Sequence, residues 1–354
     1  MSRIPRWILL TVLAAVLTVT ASAVTSSAKT GKGADEGTRA KTDDDRRPGD
    51  GRAEDRRKRG RSDDKRGGNR SRVYTIPGAA VFPEGIALDR RGRSFFVGST
   101  TDGTIYKGNV RQAAMAPLAA GGADGRTTAV GMKVDGRGRL LVAGGGTGKA
   151  FVLSTADGRT LKVLDSRPGT AQTFINDVTV AGGFAYFTDS RRPVILRAAT
   201  SGDTVGDLEP WLDLTGTPFV YRDGFNANGI ASYDRGRLLV VVQSNTGKLF
   251  RINTRTKDVS EIDLGGRTLT NGDGLVAHGS RLFVVRNANN EIVEVKLRRG
   301  KRKGRVRSTI TSDRFRFPTT AARDGKRLLV VNSQFDKRGG TPALPFTVAA
   351  VRRP

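Results

Sequence analysis

Glu84, Asn176, Asn228 and Asp273 are the residues from which a chemistry can be argued. Each opens a similar short stretch: Glu84-Gly-Ile-Ala-Leu-Asp89, Asn176-Asp-Val-Thr-Val180, Asn228-Gly-Ile-Ala-Ser232 and Asp273-Gly-Leu-Val-Ala277. Val130 and Thr319 hold the same place in two further copies, Val130-Gly-Met-Lys-Val-Asp135 and Thr319-Thr-Ala-Ala-Arg323. If the six places face one another, two carboxylates and two amides converge. That set of oxygens suits one hard divalent cation, Ca²⁺ first, with Mg²⁺ or Mn²⁺ as alternatives. The chain has no cysteine and a single histidine, which excludes a zinc site of the usual kind. No Arg or Lys stands at the six places, so a cation would supply the charge that two neighbouring buried carboxylates lack. Asn, Asp and Glu before Gly are common turn residues singly; the argument rests on four oxygen donors at six equivalent places.

Other chemistries find little support. A serine or cysteine nucleophile needs a histidine base, and the one histidine, His278, sits in Ala277-His-Gly-Ser280, which reads as an exposed turn between strands. There is no GxSxG elbow, P-loop or dinucleotide fingerprint on a helix. The glycines of Ala143-Gly-Gly-Gly-Thr-Gly148 lie between two strand patterns and read as a turn, not a phosphate cradle.

The elements that must position these residues come from a repeat. The six stretches begin 46, 46, 52, 45 and 46 residues apart. Twelve residues after each start lies the middle of a second strand, at Phe96, Val142, Thr188, Val240, Val285 and Val331. Third strands follow at residues 104–107, 149–153, 194–197, 248–252 and 291–295, where apolar and polar residues roughly alternate. Fourth strands include residues 162–164 and 259–262. Four strands in a unit of this length are a propeller blade, and no stretch carries a helical period. The fold class expected is all-β, a six-bladed β-propeller with four-stranded blades. The last unit has one strand too few, Phe346-Thr-Val-Ala-Ala-Val351 being its third, and Arg72-Val-Tyr-Thr-Ile76 has no partner of its own. Residues 72–76 are therefore expected to complete the last blade and close the ring. In a propeller the inner strands line the central channel, which is what would bring the six places together.

The stretches Phe82-Pro-Glu-Gly-Ile86, Ile175-Asn-Asp-Val178, Asn226-Ala-Asn-Gly-Ile230 and Gly272-Asp-Gly-Leu275 resemble motifs of the gluconolactonase, senescence marker protein and luciferin-regenerating enzyme family. The resemblance covers about residues 80–335. It implies a six-bladed propeller with one divalent metal in the channel and, in several members, lactone hydrolysis. It implies Glu84, Asn228 and Asp273 as metal ligands and Asn176 as the residue touching metal-side water or substrate. Two places before that asparagine, sugar-lactone members carry an arginine for substrate hydroxyls, and here stands Phe174. A more apolar lactone or ester is therefore expected, with Phe174 and Asn176 contacting it and Asp273 acting as general base. The alternative is a non-catalytic extracellular binding propeller with a structural metal. The stretch 201–225, with Trp211, Phe219 and Tyr221, reads either as a lid over one channel mouth or as a surface loop packed by its own aromatics.

The ends of the argument concern export and charge. A basic head, an apolar run over residues 7–19 and Ala21-Ser-Ala23 describe a signal peptide over residues 1–23; the run is short for a retained membrane anchor, the alternative. Residues 24–71 are charged and almost free of apolar side chains, the composition of a disordered tether. The folded part is expected over residues 72–354. Export argues against nucleic acid as the partner for a net charge of +27 and leaves an anionic cell-surface polymer, met through the basic linker, as a candidate contact. The cluster over residues 298–307 reads first as a solvated hairpin tip and second as a contact for an anionic surface.

Overall fold

The computed structural model describes residues 72–353. The signal peptide expected over residues 1–23 and the tether expected over residues 24–71 lie outside the described residues.

Six four-stranded antiparallel sheets follow one another along the chain. The first blade runs outward through Pro83–Leu88, Ser94–Ser99, Ile105–Asn109 and Ala116–Ala119. The second to fifth repeat that order, with inner strands Met132–Val134, Ile175–Ala181, Ala227–Tyr233 and Gly272–His278. The sixth is built from Pro318–Asp324, Arg327–Asn332 and Phe346–Arg352, and its outermost strand is Val73–Ile76 from the start of the domain. Val73 pairs with Ala349 and Ile76 with Phe346, so the two ends of the domain share one sheet. Among the described residues the only helices are four three-residue 3₁₀ turns. Phe96, Val142, Thr188, Val240, Val285 and Val331 all lie on second strands and are buried, as the repeat requires.

The core is divided into six apolar clusters, each wedged between neighbouring blades. Phe96 and Ile105 of the first blade meet Leu140, Val142 and Phe151 of the second. Tyr74, Ile76, Phe346 and Val348 of the sixth meet Phe95 and Val97 of the first, so the closing strand contributes to burial as well as to the ladder. Alternation along each strand, with both faces covered by a neighbour, explains the nearly unbroken burial of second strands such as Leu238–Gln243.

The inner strands explain the repeated sequence motif. In five of them the ladder slips at one point: between Pro83 and Ile86, Ile175 and Val178, Ala227 and Ile230, Gly272 and Leu275, and Pro318 and Ala321. Each slip brackets the place held by Glu84, Asn176, Asn228, Asp273 or Thr319. A bulge bends the strand and re-aims the side chain within it, here toward the channel mouth. In the second blade the ladder starts only at Met132, after Val130. The glycine after the polar residue is demanded by crowding. A Cβ on Gly85 would lie 1.9 Å from the Val130 carbonyl oxygen, and one on Gly229 would lie 2.1 Å from that of Asp273. The inner ring also closes by hydrogen bonds: the Gly131 N–H donates to the Asn176 carbonyl (2.8 Å), and the Thr319 hydroxyl donates to the Glu84 carbonyl (3.1 Å).

Candidate metal centre and substrate cavity

Glu84, Val130, Asn176, Asn228 and Asp273 line one cavity of about 410 Å³ at the channel mouth. Thr319, the sixth of the set, is fully buried beneath it, its hydroxyl given to the Glu84 backbone. The four oxygen-bearing side chains named from the sequence are thus brought together.

Each is held differently. Asn176 donates from Nδ2 to the Ser190 hydroxyl (2.9 Å), which in turn donates to the Ala227 carbonyl (2.6 Å). That relay fixes the amide with its oxygen free of the donor side. Asp273 accepts at Oδ2 from Asn287 Nδ2 (2.8 Å). By contrast, Glu84 Oε2 and Asn228 Oδ1 are buried acceptors with no hydrogen-bond partner. Two orphaned acceptors in one cavity are unusual, because an unmatched buried polar atom costs roughly 1–3 kcal/mol.

The electrostatics agree. Burial pushes Glu84 well above the usual carboxylate range, and repulsion from Asp273 and Asp177 adds to it. Asp273 is pushed up to about 7, first by burial; the Asn287 hydrogen bond pulls it back, Asp177 raises it and Asn228 lowers it. Asp177, next to Asn176, is raised to about 6 by burial, although its carboxylate accepts from the backbone N–H groups of Ile230 (3.0 Å) and Val178 (2.8 Å) and is favoured by Lys133. Its oxygens tie the third blade to the fourth and are not turned over to the ring. Lys133, on the second inner strand, interacts with Asp177: desolvation pulls its ammonium down while Asp177 sustains it. It faces Asp177 and leaves Glu84 and Asp273 without a counter-ion.

Among the described residues there is no cluster of three or more His, Cys, Asp and Glu side chains that could hold a metal. The ring offers a mixed set of two carboxylates and two amides, and the orphaned oxygens of Glu84 and Asn228 are what a hard cation would satisfy. The donor set therefore fits Ca²⁺ or a similar ion.

Above the ring the cavity is lined by aromatics. Phe174 lies edge-on to Phe225 (5.1 Å between ring centres, 87° between planes), and the Arg191 guanidinium stands 4.9 Å over the Phe225 ring. Phe335 and Arg338 form the opposite wall, with the Arg338 guanidinium 4.5 Å over the Phe335 ring and donating to the Thr100 hydroxyl. The stretch 201–225 is mostly packing: Trp211 and Phe219 are buried between the third and fourth blades, and Phe225 alone of its aromatics lines the cavity. His278 is half-buried at the far end of the strand that begins beside Asp273, and does not line the cavity. The Ala143–Gly148 glycines connect Arg139–Ala143 to Lys149–Ser154 as a turn.

Asn287, Phe225, Phe335 and Arg338 were not singled out from the sequence. Asn287 follows the second strand Arg281–Arg286 of the blade that carries Asp273, so its place in the repeat is a signal that a search for polar residues after second strands would have found. Arg338 lies in the long stretch between the last two strands and has no counterpart in the other blades.

No protein-family model matches the chain, and no curated protein sequence does. The fold, however, is shared with solved propellers. The major allergen Mala s 1 of Malassezia sympodialis superposes with a TM-score of 0.58 at 13% identity, over 79% of this chain and 95% of the allergen. A gluconolactonase from Xanthomonas campestris gives 0.56 at 16% identity, over 80% and 90%. Virginiamycin B lyase from Staphylococcus aureus gives 0.53 at 12% identity, over 80% and 99%; a histidine-to-alanine variant of that lyase is catalytically inactive. At these identities the likeness is one of fold.

Proposed function

We propose that the chain is a metal-dependent hydrolase of a lactone or ester, working in the cavity above the ring. The observation that carries this reading is the pair of buried, unpartnered acceptors, Glu84 Oε2 and Asn228 Oδ1, in one cavity with Asp273. Glu84, Asn176, Asn228 and Asp273 would hold the cation. When bound, a divalent cation supplies Lewis acidity, polarising a carbonyl and making a water more acidic. Asp273 is the proton acceptor: the Asn287 hydrogen bond to Oδ2 orients its carboxylate to take a proton from an attacking water. The Ser190 relay holds the Asn176 amide toward substrate. Phe174 and Phe225 exclude water from the substrate side and offer rings in place of donors for sugar hydroxyls, which favours an apolar or aromatic lactone. The family resemblance and the gluconolactonase fold neighbour point the same way. The lyase neighbour depends on a histidine, whereas His278 is remote from this cavity. We place the protein outside the plasma membrane on the signal-peptide pattern of residues 1–23.

The test is calorimetric titration of the chelator-treated protein with calcium and manganese, beside Glu84→Gln, followed by a lactone and ester screen. One cation per chain, weakened in the variant, with turnover lost on chelation and in Asp273→Asn, supports the reading. Cation binding with no turnover of any lactone or ester leaves a binding propeller, and binding unaffected by Glu84→Gln removes the site.

A further inference from the structure

The end of the propeller opposite the cavity has a charge distribution that the proposed hydrolysis does not use. Inner strands start at the cavity and run away from it, so the turns joining them to second strands all lie at the far end. Four of these six turns carry Lys or Arg, as in Asp89-Arg-Arg-Gly-Arg93 and Asp234-Arg-Gly-Arg237; the third and fifth blades have Gly182-Gly183 and Gly279-Ser280 instead. The turns from third to fourth strands, at the same end, follow suit. Arg298, Arg299 and Arg302 crowd the fifth blade, whereas the third carries Asp203 and Asp207. The cations therefore form an arc over five adjacent blades, interrupted at the third.

Much of this charge is uncompensated. Arg91, Arg235, Arg299 and Lys326, from four different blades, are exposed and form no ion pair among the described residues. Between the first and second blades the arc deepens into a cavity of about 590 Å³ lined by Arg90, Arg91, Lys107 and Arg137, with Asp89 its one acid. Asp89 is engaged with the Arg93 backbone N–H (2.8 Å), and Arg137 is paired to an almost fully exposed Asp203 (3.0 Å), a contact that an incoming anion can displace. Arg72, where the described chain begins, lies at this end too, donating to the Val110 carbonyl (2.8 Å).

We infer that this far end is a docking face for an acidic polysaccharide, which holds the propeller with its cavity turned outward. Arginine forks match carboxylate and sulfate groups. Of the exposed large apolar side chains, Val220, Phe225 and Leu344 lie outside these turns and Leu161 stands singly beside one of them, so the face has no apolar cluster to wedge into a lipid surface. The inner turns are tight hairpins, and none projects far enough to read a nucleic-acid groove.

The test measures binding of a heparin fragment to the purified protein across a salt series, with phosphatidylglycerol vesicles and duplex DNA as comparators. Arg91→Glu with Arg235→Glu is set against Arg222→Glu with Lys337→Glu, an equal charge change at the cavity end. Heparin affinity that falls linearly with the logarithm of salt, about tenfold weaker in the first pair and within about twofold of wild type in the second, supports the face. Equal losses in both pairs, no loss in the first, or tighter binding to vesicles or DNA than to heparin overturns it. Arg91→Gln with Arg235→Gln repeats the comparison should the reversed pair fold poorly, and is expected to fall between wild type and the reversal.

Discussion

Asp273→Asn separates a cation site from an ordinary buried polar cluster, because the two make opposite predictions for stability. In the metal-free protein Asp273 is raised from 3.8 to about 7, chiefly by burial. A carboxyl whose folded pKa is raised holds its proton more tightly folded than unfolded. The resulting penalty is absent below pH 4, grows as pH rises to 7, and is constant above that. Three pKa units correspond to roughly 4 kcal/mol at pH 8, and to about 1–2 kcal/mol at pH 5. Asparagine keeps an acceptor for Asn287 but adds N–H groups, one of which is left unmatched at a cost of about 1–2 kcal/mol. The variant should thus be more stable than wild type by about 2–3 kcal/mol at pH 8 without metal, and about equal to it at pH 5. For a domain of this size that is roughly 5–10 °C in melting temperature at pH 8. Calcium at about a hundredfold over its dissociation constant should then raise wild type by about 2.7 kcal/mol and the variant by much less, removing or inverting the order. The assay is a pair of melting curves at each pH, with chelator and with calcium. A variant that melts below wild type at pH 8 in chelator, or that gains as much from calcium, refutes the electrostatic reading of the ring.

Asn287→Ala removes the N–H donor from Asp273 Oδ2; the carboxyl should rise further, and calcium affinity at pH 7 should fall about tenfold by calorimetry, the worth of a hydrogen bond to a charged group. Phe174→Ala strips one of the two packed rings from the cavity, and steady-state kinetics on an aromatic lactone should show KM raised about tenfold with kcat little changed. Gly131→Ala puts a Cβ 2.4 Å from Asp177 Oδ1 and 2.6 Å from the Asn176 carbonyl oxygen; it should lower the urea midpoint by an amount equivalent to more than about 2 kcal/mol.

The fold was legible because a propeller repeats one unit, so a weak pattern seen six times becomes a strong one. The outer strand over Val73–Ile76 was legible by default, as an unpartnered strand at one end facing a deficit at the other. The ring was legible as residue types at equivalent places. Its glycines were read only as part of a motif, since the clash of Gly85 with Val130 is between blades 46 residues apart and has no local signature. What escaped is what depends on loops of unequal length. Phe225 ends the one long connection between inner strands, and neither its approach to Phe174 nor the burial of Trp211 follows from spacing. Arg338 reaches the cavity from the last blade, where the repeat pattern stops applying. Lys133 has no signal of its own within Val130-Gly-Met-Lys-Val-Asp135, yet it interacts with Asp177 of the next blade.

The same crowding that demands glycine beside the ring explains why its carboxylates cannot escape one another. Glu84 and Asp273 sit in bulges whose next residue is packed against the backbone or side chain of the following blade, Gly85 against Val130 and Gly274 against Thr320. The blades on either side are fixed by apolar clusters and by a ring closed at both its inner and outer edges. Repulsion between the carboxylates therefore cannot be relaxed by moving a strand. It can be relieved by a proton or by a cation, and the two compete for the same oxygens. A proton satisfies one carboxyl at a time and leaves Asn228 Oδ1 still unmatched, whereas a cation can engage all four donors at once. Because the donors are already assembled on folding, binding spends little on ordering them, and the site should favour the cation at neutral pH and yield to protons as the pH falls below about 7.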